Sequence, residues 1–173
     1  MKYVKITKND VANGPGVRAV LWVSGCTHHC LGCHNQNTWD PDIGEDFTEK
    51  VKEELFLALS PAYVSGITFS GGDPLHKNNI KDILSLIEEI KEKMPEKTIW
   101  LYTGYIWEDI KEKQDDADMK IRKKIIENID ILIDGPFILK QKNIMLPWCG
   151  SSNQRVIDIK ESIKEGEIVL YSL

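Results

Sequence analysis

The chain predicts an α/β fold, a partial (open) βα barrel on a mainly parallel sheet, in one domain spanning residues 1–173. Two observations lead there. From Val17 onward, short apolar β-rich runs alternate with amphipathic helical stretches; the runs are 17–23, 66–69, 98–102, 129–133 and 155–157. Such alternation builds βα units with parallel strands. Five runs in 173 residues are also too few for a closed eight-stranded barrel, which takes about 250 residues. A hydrophobic fraction of 42% is ordinary for a globular domain, and no repeat or Ser/Gly-rich linker divides the chain.

Each element has its own local warrant. Tyr3–Ile6 alternates and reads as an edge strand, and the Asn, Asp, Gly and Pro of 9–16 read as loop. Gly14-Pro15-Gly16 does not fit G-x-G-x-x-G and no helix signal follows, which excludes dinucleotide binding there. Val17–Val23 is a strand ending in Ser24-Gly25, and 35–46 is irregular. Thr48 is suited to cap a helix whose apolar stripe is Val51, Leu55, Phe56 and Leu59, ended by Pro61. Strand 66–69 runs into Ser70-Gly71-Gly72-Asp73. Asn78 or Asn79 opens the next helix, with Ile80, Ile83, Leu84, Ile87 and Ile90 at the 3.6 period and Pro95 closing it. Strand 98–102 leads to a Thr103-Gly104 turn and a short helix at 106–110. The acidic loop 114–118 lacks the spacing of a calcium loop. A helix over 119–128 turns Ile121, Ile125 and Ile126 inward. Strand 129–133 ends in Asp134-Gly135-Pro136, which is turn chemistry. Arg155–Asp158 and 167–171 read as the last two strands.

Chemistry concentrates in Gly25-Cys26-Thr27-His28-His29-Cys30-Leu31-Gly32-Cys33-His34-Asn35. Three of the four cysteines lie there, spaced C-x₃-C-x₂-C, on a loop at the C-terminal end of a strand. That edge of a parallel sheet is where ligands bind. Nearby thiols share the cost of deprotonation when a cation neutralises them. Three metal readings compete. Zinc asks for a fourth ligand, from Cys149 or one of His28, His29 and His34. Haem is suggested by Cys30-Leu31-Gly32-Cys33-His34, but this leaves Cys26 unexplained and implies export. A four-iron cluster on three thiolates leaves one iron open to a cofactor. Gly71-Gly72, following a strand, lets backbone approach a ligand closely. Asp134 lies at the same sheet edge, where it could bond a ribose or an ammonium. Trp22 and Trp39 are placed to shield a cluster, or simply to pack.

The cysteine triplet at the end of an early strand resembles the radical S-adenosylmethionine (SAM) superfamily. Most members carry an aromatic residue where this chain has Gly32. Glycine there resembles one branch, the activating proteins of anaerobic ribonucleoside-triphosphate reductase. Asn13-Gly14-Pro15-Gly16-Val17-Arg18 and Gly150-Ser151-Ser152-Asn153-Gln154-Arg155 resemble the same branch, so the likeness runs over nearly the whole chain. It implies a 4Fe-4S cluster on Cys26, Cys30 and Cys33 with one open iron. It implies SAM beside Gly32, Cys33 and His34, and beside Ser70, Gly71, Gly72 and Asp73, with the methionine amino group at the Gly-Gly-Asp turn. Asp73 stands where the superfamily usually has glutamate. Cys149 is then expected not to be a ligand, since it would close the open iron. Arg155 would pair with the SAM carboxylate or with a structural acid.

The chemistry the resemblance implies is one-electron cleavage of SAM to methionine and a 5′-deoxyadenosyl radical. That radical takes a hydrogen atom from a glycine Cα of the partner, the catalytic subunit of the anaerobic ribonucleotide reductase. No acid–base side chain is expected, because the cofactor carries the chemistry. A low-potential donor such as flavodoxin is implied. A pyruvate formate-lyase activase is the near alternative, though those chains are usually longer; a zinc-stabilised binding module is the distant one. A net charge of −5, from 22 basic and 27 acidic residues, gives no reason to expect nucleic acid. No apolar run approaches the roughly 20 residues that cross a bilayer. Met1–Lys5 shows no apolar signal segment, so a reducing cytoplasm is expected and disulfides are not.

Overall fold

A computed structural model describes residues 1–112 and 116–172. Gln114 and Asp115 of the acidic loop lie outside it. Seven strands form one mixed sheet: β1 (Lys2–Asp10), β2 (Val17–Val23), β3 (Glu45–Asp46), β4 (Val64–Gly71), β5 (Thr98–Tyr102), β6 (Ile131–Asp134) and β7 (Arg155–Asp158). Their order is β3-β1-β2-β4-β5-β6-β7. The middle of the sheet, β2-β4-β5-β6, is parallel as expected. Both flanks are antiparallel, with β1 on β2, β3 on β1 and β7 on β6. The sheet is therefore mixed rather than mainly parallel, and it does not close. The reason is local. β1 and β2 are joined by a short loop that reverses the chain, and β7 returns beside β6 with only a 3-10 turn, Leu139–Gln141, and no α-helix between them, so neither pair has a crossover.

The helices are α1 (Glu49–Leu59), α2 (Ile80–Lys93), α3 (Trp107–Glu112), α4 (Ala117–Glu127) and α5 (Ile159–Glu165). The Thr48 hydroxyl accepts the Val51 amide and starts α1. In α2 the fully buried stripe is Ile80, Ile83, Leu86, Ile87 and Ile90, with Leu84 only partly buried. The last two elements differ from expectation. Asp158 caps a helix, α5, that ends at Gly166 in the left-handed region. The tail contributes one bridge, Ile157 to Leu170, instead of a strand.

Side-chain alternation sorts the sheet into two faces. Ala19, Leu21, Ile67, Phe69, Ile99, Leu101 and Leu132 pack into the large core beneath the helices. Trp100, Ile131 and Ile133 turn the other way and pack with Tyr102, Trp148 and Cys149. Among the described residues, no α-helix contributes to this second cluster. The loop before β2 and the segment between β6 and β7 fold over it, and the space they leave is the site.

Candidate metal centre

The cysteine loop is fixed by backbone bonds as it leaves β2. Gly25 N–H donates to the Thr38 carbonyl at 2.8 Å and Cys26 N–H to Trp39 at 2.9 Å. Gly72 N–H donates to Val23 and Asp73 N–H to Gly25, both at 2.8 Å, which ties the end of β4 to the end of β2. Gly71 permits that approach: its φ is +104°, and a Cβ would lie 2.6 Å from the Val23 oxygen.

These ends enclose a cavity of about 270 Å³. Cys26, Cys30, Cys33 and His34 line it from the first loop, and Ser70, Gly71, Gly72 and Asp73 from the second. Cys149 lines it from the far wall, while Ala12 and Asn13 reach it from the Asn-Gly-Pro-Gly loop. Two of the expected residues stand elsewhere. Gly32, at φ +78°, is outside the lining and packs under Leu139. Asp134 is buried with its carboxylate turned to Arg155 and to the Trp107 amide, which donates at 3.0 Å. The tryptophans also lie off the cavity. Trp22 donates to the Thr7 hydroxyl at 2.8 Å, and Trp39 packs on His29.

Burial pushes the Cys26 thiol up to about 11, although the backbone amides of His28 and His29 act on its sulfur in the opposite sense. Burial raises Cys30 as well, with the Phe137 amide offsetting part of it. The Asn35 amide donates to the Cys33 sulfur at 3.4 Å. The three sulfurs thus sit in a partly desolvated loop with backbone N–H groups around them. Such donors stabilise thiolate once a cation is present. Cys149 is likewise pushed up to about 11, by burial and by Asp134.

Asp73 carries the densest set of contacts. Its carboxylate accepts the Leu75 amide at 2.8 Å, the Thr103 hydroxyl at 3.0 Å, the Gly104 amide at 3.1 Å and His28 Nε2 at 2.7 Å. The far wall is held by the stretch after Cys149. Gln154 accepts the Gly150 amide and donates to the Gly135 carbonyl, and Asn153 donates to Pro136. Sequence reasoning read Thr103-Gly104 as a plain turn and gave Asn153 and Gln154 no role of their own. Polar turn residues have no periodicity to betray which backbone they will bind.

A family described as a 4Fe-4S single cluster domain matches residues 12–157. An anaerobic ribonucleoside-triphosphate reductase-activating protein of Enterobacteria phage T4 is 41% identical over 158 residues, covering 90% of this chain and 93% of the phage protein. Proteins of the same name from Salmonella typhimurium and Escherichia coli K12 are each 39% identical, covering 90% of this chain and 97% of theirs. The chain belongs to the family of anaerobic ribonucleoside-triphosphate reductase-activating proteins.

The residues present suit the 4Fe-4S group that describes this family's domain. Among the described residues, no three Cys, His, Asp or Glu side chains gather closely enough to hold one ion. In this family member three thiols are spread around one cavity instead, as suits a group that presents a separate iron to each thiolate. Of the metal readings left open by spacing, the cluster is the one the family match supports.

Proposed function

We propose that the chain is a radical SAM activating enzyme, binding a 4Fe-4S cluster through Cys26, Cys30 and Cys33 and SAM at the remaining iron. The observation that carries this reading is the shared cavity. The three thiols and the Gly71-Gly72 turn face one another across it, in a chain of this family. The bound group supplies reductive cleavage of SAM, whose adenosyl radical takes a hydrogen atom from a glycine Cα of the anaerobic ribonucleotide reductase.

The chain's own residues bind, orient and exclude. Ser70, Gly71 and Gly72 offer backbone to the methionine part of SAM, and His34 flanks it. Asp73 lines the same cavity and, with its oxygens already filled by four donor groups, braces the turn. Asp134 braces the far wall through Arg155. Cys149 stays outside the ligand set, since a fourth thiolate would close the open iron. The sheet and its covering loops make an open, partial barrel within a single domain. An open mouth suits a substrate that is a loop of another protein. A low-potential donor such as flavodoxin reduces the cluster, in the cytoplasm, and neither membrane nor nucleic acid takes part.

Protein prepared without oxygen tests the reading. Iron and sulfide at about four each per chain are expected. Cys26→Ala, Cys30→Ala and Cys33→Ala each lose them, and Cys149→Ala keeps them. With SAM, a reductant and the reductase, electron paramagnetic resonance should show a glycyl doublet on the partner. Zinc alone, surviving anaerobic reconstitution with iron and sulfide, would overturn it.

A further inference from the structure

His28 falls midway in sequence between Cys26 and Cys30, and its ring is held from three sides. Nε2 faces the Asp73 carboxylate at 2.7 Å, so it carries the proton and donates. The edge of the ring meets Tyr105 at 4.7 Å between centroids, 80° apart. Gly104 leaves it room: a Cβ there would lie 2.5 Å from the imidazole Cδ2. Asp73 is itself immobile, buried at 2% exposure and bonded to the ends of β4 and β5. The Asp73 amide also donates to the Gly25 carbonyl at 2.8 Å, so one residue holds the loop both before Cys26 and between Cys26 and Cys30.

We propose that His28 is a positioning residue: anchored on Asp73, it sets the Cys26–Cys30 segment against the Gly71-Gly72 turn. The consequence for the cluster rests on the reading above; the anchoring itself does not. Residues that orient ligands in this way typically change affinity or activity by about 10–100-fold when removed.

Three variants test it. His28→Ala removes the anchor, His28→Gln keeps a donor at a similar reach, and Gly104→Ala leaves both partners but pushes the ring off Asp73. In metal-free protein, freeing the segment should expose the Cys26 sulfur, so its alkylation should run several-fold faster in His28→Ala and Gly104→Ala, with Cys149 unchanged as the internal reference and His28→Gln near wild type. In the anaerobically reconstituted protein the same two variants should weaken SAM binding by about tenfold, and His28→Gln should restore it. Wild-type alkylation rates and SAM affinity in His28→Ala would overturn the proposal. If His28→Ala does not fold, wild-type values in Gly104→Ala overturn it equally. A wild-type chain that takes up no iron–sulfur cluster would instead sink the functional reading, and the alkylation rates would still decide the anchoring.

Discussion

Arg18 is a buried cation whose partners are all neutral oxygens. It donates to the Thr68 hydroxyl at 2.8 Å, the Thr98 hydroxyl at 2.9 Å, the Ile67 carbonyl at 2.6 Å and the Thr98 carbonyl at 2.9 Å. Its guanidinium also lies over Trp100. Desolvation lowers its pKa to about 10, so it remains charged at neutral pH. Thr68 in turn donates to the Asn13 carbonyl, and Gly14 packs on the Arg18 stem where a Cβ would come within 2.7 Å. Arg18 thereby holds the loop that brings Asn13 to the cavity. Arg18→Met fills much of the volume but strands several acceptors. We expect a loss of about 3 kcal/mol, read as a fall of about 6–12 °C in melting temperature. The sequence showed the Asn-Gly-Pro-Gly-Val-Arg stretch only as a likeness. Its physical meaning was hidden because an arginine in a strand is expected to face water, and only the sheet shows that position 18 faces inward.

At the scale of the element, strand and helix positions were legible wherever apolar periodicity was strong. Strands Val17–Val23 and Thr98–Tyr102 match their expected bounds, and α2 differs mainly in burying Leu86 beside the expected stripe. The failures have physical causes. Helix α5 is seven residues with only Ile159 and Ser162 buried, too short for a period to show. The apolar tail looks like a strand, yet it reaches only the outer side of β7 and forms one bridge. β4 begins two residues before the expected Gly66, because Val64 and Ser65 continue its extended path. Gly66 itself pairs with Thr98 on β5. A Cβ there would lie 1.9 Å from the Thr98 carbonyl oxygen, which is backbone and cannot turn away. Glycine inside a strand often marks such a contact. Gly66→Ala, a change of one methyl, should therefore cost about 3 kcal/mol or more in denaturant unfolding. A value under about 0.5 kcal/mol, typical of a neutral surface change, would mean that the two strands part without penalty.

For the molecule as a whole, the cysteine triplet and the Gly-Gly turn were legible because each is a compact motif at a strand end, and parallel strands bring such ends together. The far wall was not legible. It depends on β7 returning beside β6, and on one residue that ties three elements. Arg155, on β7, pairs with Asp134 at the end of β6 and with Glu108 on α3, at 2.8 and 2.6 Å to its two oxygens. The Arg155 hydrogen bond is the main cause that lowers the Glu108 carboxyl from 4.5 to about 2. A folded-state pKa below the unfolded one gives stability that is complete above the unfolded value and lost as pH falls through the folded one. The tie should then loosen between about pH 4.5 and pH 2. Glu108→Gln should flatten the acid limb of the stability curve across that window. At neutral pH it should cost less than about 1 kcal/mol, because the Glu108 side chain is 46% exposed and the pair is screened. Arg155→Met goes further, since it leaves the buried Asp134 with the Trp107 amide but no cation. It should destabilise by about 3–5 kcal/mol and open the wall that carries Cys149, so Cys149 alkylation should accelerate. An Arg155→Met chain that melts like the wild type, with Cys149 as slow to react, would show that the wall stands without its tie.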